Sequence, residues 1–150
     1  MKKTIFVLLV ITIMFIVSGC PEVFLRTVYS IKIQNNTKYA ISYYKSFIYP
    51  DTSINTNKPI LKWSPPQDYS YLDSNKKWEK VLVHPNDTVS IFILSKNLVD
   101  IYNWDEIVNN YLILKRYDLS LSDLQYLKWK VTYPPTEEMK NMRMYPPYEQ

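Results

Sequence analysis

Polar and apolar residues alternate over Val28–Gln34, with Tyr29, Ile31 and Ile33 on one side and Ser30, Lys32 and Gln34 on the other. A period of two predicts a half-buried strand, because successive side chains of an extended backbone point to opposite faces. Asn35-Asn36-Thr37 follows with turn chemistry. It predicts a hairpin into a second strand over Lys38–Tyr49, with Tyr39, Ile41 and Tyr43 on one face. Pro50-Asp51 ends that strand, and from Asp51 to Lys77 the period is lost. Pro59, Pro65 and Pro66 punctuate this stretch, and only Ile60–Trp63 has the makings of a short edge strand. An aperiodic loop of such length inside a domain is more often functional or mobile than idle.

Trp78–His84 reads as a strand with blurred alternation, and Pro85-Asn86-Asp87 as a turn. Thr88–Ser95 puts Val89, Ile91 and Ile93 on one face and Phe92 and Leu94 on the other, which predicts a central strand covered on both sides. Two short helices are expected late in the chain. Asn103 with Glu106, and Ser120 with Asp123, have the spacing of capping pairs. Trp104, Ile107, Val108, Tyr111 and Leu112 fall at helical spacing after the first pair, and Leu121, Leu124 and Leu127 after the second. Strand character returns over Ile113–Asp118 and again over Lys128–Tyr133, with Trp129, Val131 and Tyr133 inward. Pro134-Pro135 stops the last strand, and Thr136–Gln150 lacks any period and reads as a loose tail that buries little. The sum is a mainly β chain of about seven strands. A single immunoglobulin-like β-sandwich over residues 28–135 is the expected fold, and a single-sheet α+β domain is the alternative.

Ahead of the domain lies a different pattern. Lys2 and Lys3 precede an apolar run, Ile5–Val17, broken only by Thr12. Its length suits a secretory signal core of about 7–15 residues and falls short of the roughly 20 that a spanning helix needs. Val17-Ser18-Gly19-Cys20 closes it and resembles the lipobox of bacterial lipoproteins: a branched apolar residue, a small residue, Gly and then Cys. The resemblance implies that residues 1–19 are a cleaved signal peptide. It also implies that Cys20 carries a diacylglycerol on its thiol and an N-acyl chain on its new amino group. Pro21 rather than Asp after the Cys implies, by the sorting rule known for some Gram-negative bacteria, the outer membrane rather than the inner. Residues 20–27 then form the lipidated Cys and a short tether. Seven residues, Pro21–Thr27, reach at most about 25 Å, so the domain is expected to sit close to its membrane.

Removal of residues 1–19 from the 150 of the chain leaves 131, enough for one domain with its own core. Cys20 is the single cysteine, so a lipidated chain has no free thiol and no disulfide, and packing must supply the stability. The formal charge of +4 includes Lys2 and Lys3 and falls to about +2 without them. That balance is too mild for a nucleic-acid partner, which wants a concentrated basic face. Gly19 is the single glycine, and it lies in the signal. Turns that need a positive φ are therefore expected to use Asn or Asp.

A second resemblance rests on Tyr49-Pro50-Asp51-Thr52-Ser53, on Leu114-Lys115-Arg116-Tyr117-Asp118-Leu119-Ser120, and on Asp123-Leu124-Gln125, Trp129 and Tyr133-Pro134-Pro135. These phrases look like those of uncharacterised lipoproteins of Gram-negative anaerobes. The likeness runs over Val28–Pro135 and implies one domain; it brings no activity with it.

Candidate chemistry is sparse. His84 is the single histidine, and neither a G-x-S-x-G elbow nor an H-E-x-x-H helix is present. A Ser-His-Asp site built on it has no support beyond its presence, and a solvated turn histidine accounts for it. One His and no free Cys leave zinc without ligands, and a phosphate-cradling loop lacks its glycines. Asp51 and Asp118 would act as an acid–base pair only if folded to within about 5–10 Å of each other; a turn and an ion pair with Arg116 are their default roles. Asp87-Thr88-Val89 resembles a bacterial O-glycosylation site, but three residues are a weak motif and ordinary turn chemistry at a strand entrance explains them better. The remaining signal is aromatic. Trp63, Tyr69 and Tyr71 occupy the proline-bearing stretch and are the candidate binding residues for a glycan or a protein. Rings that fold back over the core as bulk are the plainer reading, since large aromatics are highly buried on average. The expectation is therefore a lipid-anchored, non-catalytic envelope lipoprotein that acts as a structural or protein-interaction module. A glycan-binding accessory protein is the alternative and a small hydrolase the third reading, with no cofactor beyond the lipid on Cys20.

Overall fold

Alternation over Val28–Gln34 becomes strand β1 (Tyr29–Asn35), buried at Ile31, Ile33 and Asn35. Seven more strands follow: β2 (Ile41–Ser46), β3 (Lys62–Ser64), β4 (Tyr69–Ser74), β5 (Thr88–Ser95), β6 (Lys115–Ser120), β7 (Lys130–Tyr133) and β8 (Arg143–Tyr145). Four short helices, α1 (Trp78–Val81), α2 (Lys96–Ile101), α3 (Trp104–Asn109) and α4 (Leu121–Tyr126), fill the connections. The computed structural model describes residues 27–83 and 87–148. The apolar run Ile5–Val17, Cys20 and His84 lie outside the described residues.

The strands form two sheets, a three-stranded one in the order β4-β1-β7 and a five-stranded one in the order β3-β2-β5-β6-β8. The mainly β expectation holds, as a sandwich-like domain of two sheets rather than a single-sheet α+β fold. The inner faces meet in one cluster, with Ile31, Ile33, Leu72 and Val131 from the small sheet and Ile41, Tyr43, Val89, Ile91, Ile93, Tyr117 and Leu119 from the large. β5 is the middle of the large sheet and is buried along nearly its whole length, as a strand apolar on both faces requires. Its other face carries Phe92 and Leu94 into a second cluster with Tyr44, Ile54, Trp104 and Ile107. Tyr44 and Phe92 stack there, with ring centroids 4.7 Å apart. α3 brings Trp104 and Ile107 to this cluster, and both expected capping boxes are present. Asn103 with Glu106 opens α3, and Ser120 with Asp123 opens α4. α1 and α2 have no such signature: neither makes a side-chain N-cap hydrogen bond.

The expected hairpin over Asn35-Asn36-Thr37 does not form. β1 pairs with β4 antiparallel and with β7 in parallel, whereas β2 pairs with β3 and β5. The turn instead carries the chain from one sheet to the other. Asn35 is fully buried there, and its amide nitrogen donates to the carbonyls of Tyr39 at 2.8 Å, Ser64 at 3.3 Å and Pro65 at 2.8 Å. Its carbonyl accepts from the Thr37 backbone N–H at 3.0 Å and the Thr37 hydroxyl at 2.7 Å. Ser64 and Pro65 open the second crossing between sheets, from β3 to β4. One side chain thus ties both crossings together.

Other expectations are corrected by the same topology. The Asp51–Lys77 loop contains all of β4, so Tyr69 and Tyr71 stand on a strand rather than a loop. The alternation of Tyr69, Tyr71 and Asp73 outward against Leu72 inward was masked by the flanking prolines. The edge strand read at Ile60–Trp63 is shifted to Lys62–Ser64. Trp78–His84 is helical at its start rather than extended, with Trp78 buried beneath it. Trp129 precedes β7 and is only partly buried against the core. Positive φ is taken by Gln67 (55°), Tyr111 (50°), Lys128 (51°) and Trp129 (62°), none of them Asn or Asp.

The tail is packed. β8 pairs with β6 through Arg116↔Tyr145, Tyr117↔Met144 and Asp118↔Arg143, and Met139 is wholly buried in the main cluster. Lys115 is buried, and its ammonium donates to the Pro146 carbonyl at 2.8 Å and the Pro147 carbonyl at 3.3 Å. The pattern is not periodic because the tail reaches the core through Met139 at the end of a short 3-10 helix (Glu137–Met139), with Met142 and Met144 packed against it, while β8 is only three residues long.

Two outcomes follow for stability. Truncation after Pro135 exposes the β6 edge and strands the Lys115 ammonium, so chemical denaturation should show a loss of at least about 3 kcal/mol, with Met139→Ala alone costing about 2–5 kcal/mol. Asn35→Ala takes a donor from three carbonyls, of which Tyr39 keeps the Thr37 hydroxyl at 2.8 Å, and should cost at least about 3 kcal/mol, at about 1–3 kcal/mol for each buried group left unpaired. A change below about 1 kcal/mol in either case would show that solvent or neighbouring chain replaces the lost bonds.

Candidate functional site

β4 is an edge strand, and its outward residues look away from the core. Tyr69 and Tyr71 are 43% and 46% exposed, and their rings meet edge to face with centroids 5.5 Å apart. The cross-strand register brings Lys32 of β1 opposite Tyr71, and its ammonium lies 3.7 Å from the Tyr69 ring centroid. A cation over a phenol face at that distance is attracted by the ring quadrupole and holds the ring in place. Two phenols and an ammonium therefore form one aromatic and cationic strip on the outer face of the small sheet.

Beneath the strip a clasp joins the two sheets. Lys62 of β3 donates to the Tyr71 carbonyl at 2.7 Å and to the Asp73 carboxylate at 2.5 Å. Asp73 also accepts from the Ser30 hydroxyl at 2.7 Å, and Lys45 donates to the Asp73 carbonyl at 2.5 Å. Partial burial pushes the Asp73 carboxyl up, but the bonds from Lys62 and Ser30 and the charges of Lys62 and Lys45 outweigh it and hold it below its usual range. Burial lowers the Lys45 ammonium, and the Lys62 charge adds to that. A groove of about 290 Å³ runs beside the clasp, lined by Tyr43, Tyr44, Pro59, Ile60 and Leu72 together with the charged residues.

Trp63 does not join the strip. It is 55% exposed, but it pairs with Ser42 on β3 and so shares the outer face of the large sheet. Tyr69 and Tyr71 face out from the other sheet. The three candidate aromatics are all exposed, yet they form a pair and a separate residue rather than one flat surface. Lys32, Lys62 and Asp73 complete the strip and were not singled out by the sequence. The outward position of Lys32 was legible in the alternation of β1, but its ring partner depends on a cross-strand register that no local pattern encodes.

The remaining candidates have structural partners. Asp118 is 3% exposed, accepts from Arg116 Nε at 3.1 Å and from the Ser90 hydroxyl at 2.7 Å, and acts as a buried counter-charge. Asp51 is exposed and accepts the Ser53 backbone N–H at 2.9 Å in a local turn, which holds its carboxyl below the usual range. Thr88 is buried at the start of β5, and its hydroxyl donates to Asp87 at 3.1 Å. A second polar groove, of about 380 Å³, lies between Asp118, Ser120, Asp123 and Arg143. Among the described residues no group of three or more His, Cys, Asp or Glu side chains could hold a metal ion. No helix among them is long and apolar enough to cross a membrane.

Comparison with known proteins returns no matching family model, no matching curated protein and no matching solved structure.

Substitution at this face should separate surface from core. Tyr69→Ala, Tyr71→Ala and Trp63→Ala should each leave thermal melting within a few degrees of the parent, a loss below about 1 kcal/mol, whereas Tyr117→Ala should cost about 3–5 kcal/mol. A severe loss from Trp63→Ala would place its ring in the core. The clasp should show itself in acid. Asp73 is held below its ordinary value, so its contribution is present above the unfolded aspartate range and is lost as pH falls through the folded value. Stability curves of the parent and Asp73→Asn should differ near neutrality, by at most about 1 kcal/mol for so exposed a pair, and converge at low pH. Parallel curves down to acid would remove the clasp from the account.

Proposed function

We propose that the chain is a lipid-anchored, non-catalytic envelope lipoprotein whose domain serves as a structural or protein-interaction module. The observation that carries this reading is the sequence Val17-Ser18-Gly19-Cys20 directly after the apolar run Ile5–Val17 and the basic Lys2 and Lys3. All four parts of a lipobox signal agree in one place. Cys20 takes a diacylglycerol and an N-acyl chain, and Pro21 directs the protein to the outer membrane, on its periplasmic or surface face. Two or three acyl chains hold a protein firmly, whereas one gives marginal and reversible attachment, at about 0.8 kcal/mol per buried CH₂.

The contact surface in this reading is the outer face of the small sheet around Tyr69 and Tyr71. Tyrosine gives large, amphipathic contact area, and its position on a strand costs little ordering on binding. The interaction reading is favoured over the glycan reading because Trp63 stands on the other sheet, which removes the broadest ring from any shared stacking surface. The glycan reading retains the edge-to-face phenol pair with Lys32 beside it. The hydrolase reading draws on His84, which lies outside the described residues.

Intact mass spectrometry of protein taken from native membranes should show the lipid increment on residue 20, and Cys20→Ser should abolish it. An unmodified, soluble wild type would sink the anchor. Affinity capture from the same membranes should lose its specific partner in Tyr69→Ala and Tyr71→Ala, by about 1–2 kcal/mol each. A partner retained equally by both variants would move the contact surface elsewhere.

A further inference from the structure

The chain enters the domain at Val28 and Tyr29, and at that point the surface opens into a groove of about 410 Å³. Trp78 and Trp129 line it together with Val28, Tyr29, Lys77 and Glu79. The Trp78 indole N–H donates to the Tyr29 carbonyl at 3.2 Å, and the ring is 2% exposed, so it forms a rigid floor. Trp129 is partly buried, and its backbone is held in the left-handed region together with that of Lys128. Left-handed backbone at two successive residues with a Cβ costs about 1–3 kcal/mol each, and such strain persists only where the surroundings enforce it. The Trp129 carbonyl accepts the Lys32 N–H at 2.8 Å, and its N–H donates to the Leu124 carbonyl at 2.8 Å, which enforces it here.

Lys77 lines the opening, Lys76 and Lys80 flank it in sequence and Lys128 precedes Trp129; all four are exposed and none is in an ion pair among the described residues. Glu79 is the one acid of the groove lining. The lysines of the 76–80 segment are drawn to this opening because Ser74 of β4 pairs with Tyr29 of β1. The mature chain as a whole is nearly balanced in charge, so this is a local concentration that folding assembles.

We propose that this end of the domain docks on an anionic phospholipid surface, with the lysines against phosphate groups and Trp129 at the headgroup level. The inference rests on the lipoprotein reading for its geometry: Pro21–Thr27 place the opening within about 25 Å of the anchored Cys20. Tryptophan prefers the membrane–water interface, and each lysine near an anionic leaflet adds attraction that fades within a Debye length, about 8 Å at physiological salt. A tether alone allows many orientations. The lysines and the ring select the one in which this opening faces the lipid.

Two measurements test the docking. The mature acylated protein is placed in vesicles of phosphatidylcholine and phosphatidylglycerol with brominated acyl chains. Tryptophan emission should be quenched, the amount of emission lost should fall in Trp129→Phe, and that amount should be unchanged in Trp63→Phe. The unacylated mature chain with Cys20→Ser should bind phosphatidylglycerol-containing vesicles but not pure phosphatidylcholine vesicles. Lys76→Glu, Lys77→Glu and Lys80→Glu together should weaken that binding at least about a hundredfold, at about fivefold per lysine. Quenching that persists in Trp129→Phe, or vesicle binding that is absent or indifferent to the charge reversals, overturns the proposal. Absence of a lipid increment on wild-type Cys20 is a separate failure: it removes the anchor while the Cys20→Ser chain still reads the surface on its own.

Discussion

Asn35 is fully buried where the chain leaves one sheet for the other, and every hydrogen-bonding position it has toward the protein is engaged. A buried amide in an apolar setting destabilises unless its donors and acceptor are matched, so the residue acts as a test of the whole corner. The β1-to-β2 crossing supplies Thr37 and Tyr39, and the β3-to-β4 crossing supplies the Ser64 and Pro65 carbonyls. Gln67 reinforces the contact from the second crossing, donating its side-chain N–H to the Asn36 carbonyl at 2.7 Å and its backbone N–H to the Thr37 carbonyl at 3.1 Å. Only when both crossings are in place are these groups satisfied. The two sheets are therefore registered at one corner by polar geometry, and the non-directional apolar cluster between them inherits that register.

The parts of the chain that could be read in advance are those whose signal is local. Alternation on β1, apolar residues on both faces of β5, and capping boxes before α3 and α4 each depend on residues at most a few positions apart. What failed was pairing. Asn35-Asn36-Thr37 has the composition of a hairpin turn, yet β1 finds its partners in β4 and in the parallel β7, distant in sequence. Local turn chemistry reports that the chain reverses, not which sheet it joins. The same reason hid the aromatic strip: the outward Lys32 and the exposed Tyr69 were each legible, but their meeting depends on register. Trp63, Tyr69 and Tyr71 are exposed rather than folded back over the core, and their division between two faces follows only from which sheet each edge strand belongs to.

The absence of glycine from the described residues shapes the rest. Among the described residues left-handed backbone falls to Gln67, Tyr111, Lys128 and Trp129, where a Cβ crowds the following carbonyl. Each is held by bonds that the local sequence does not announce. Gln67 is held by the corner around Asn35, and the Tyr111 hydroxyl donates to the Thr52 carbonyl at 2.9 Å while accepting from Arg116 at 2.5 Å. Tertiary contacts thus determine which residues bear the strain, and composition alone could not have named them.

The sheet geometry also separates two kinds of surface. Ser74, at the last position of β4, pairs with Tyr29, where the chain arrives from its N-terminal side. Tyr69 lies at the other end of the same strand, five residues along, or about 17 Å at the rise of an antiparallel strand. The lysine-rich groove and the phenol strip therefore share a strand but not an end. A domain tethered at Cys20 and seated on lipid through the groove would carry Tyr69 and Tyr71 away from the membrane, at the height where a second macromolecule can approach. If the strip instead faced the lipid, the lysines, which have no ion-pair partner among the described residues, would point into solvent and the short tether would have to double back along the strand. The two proposed surfaces would be compatible only in the first orientation, in which an anchor, a β-sandwich and an aromatic contact face would form a single working arrangement.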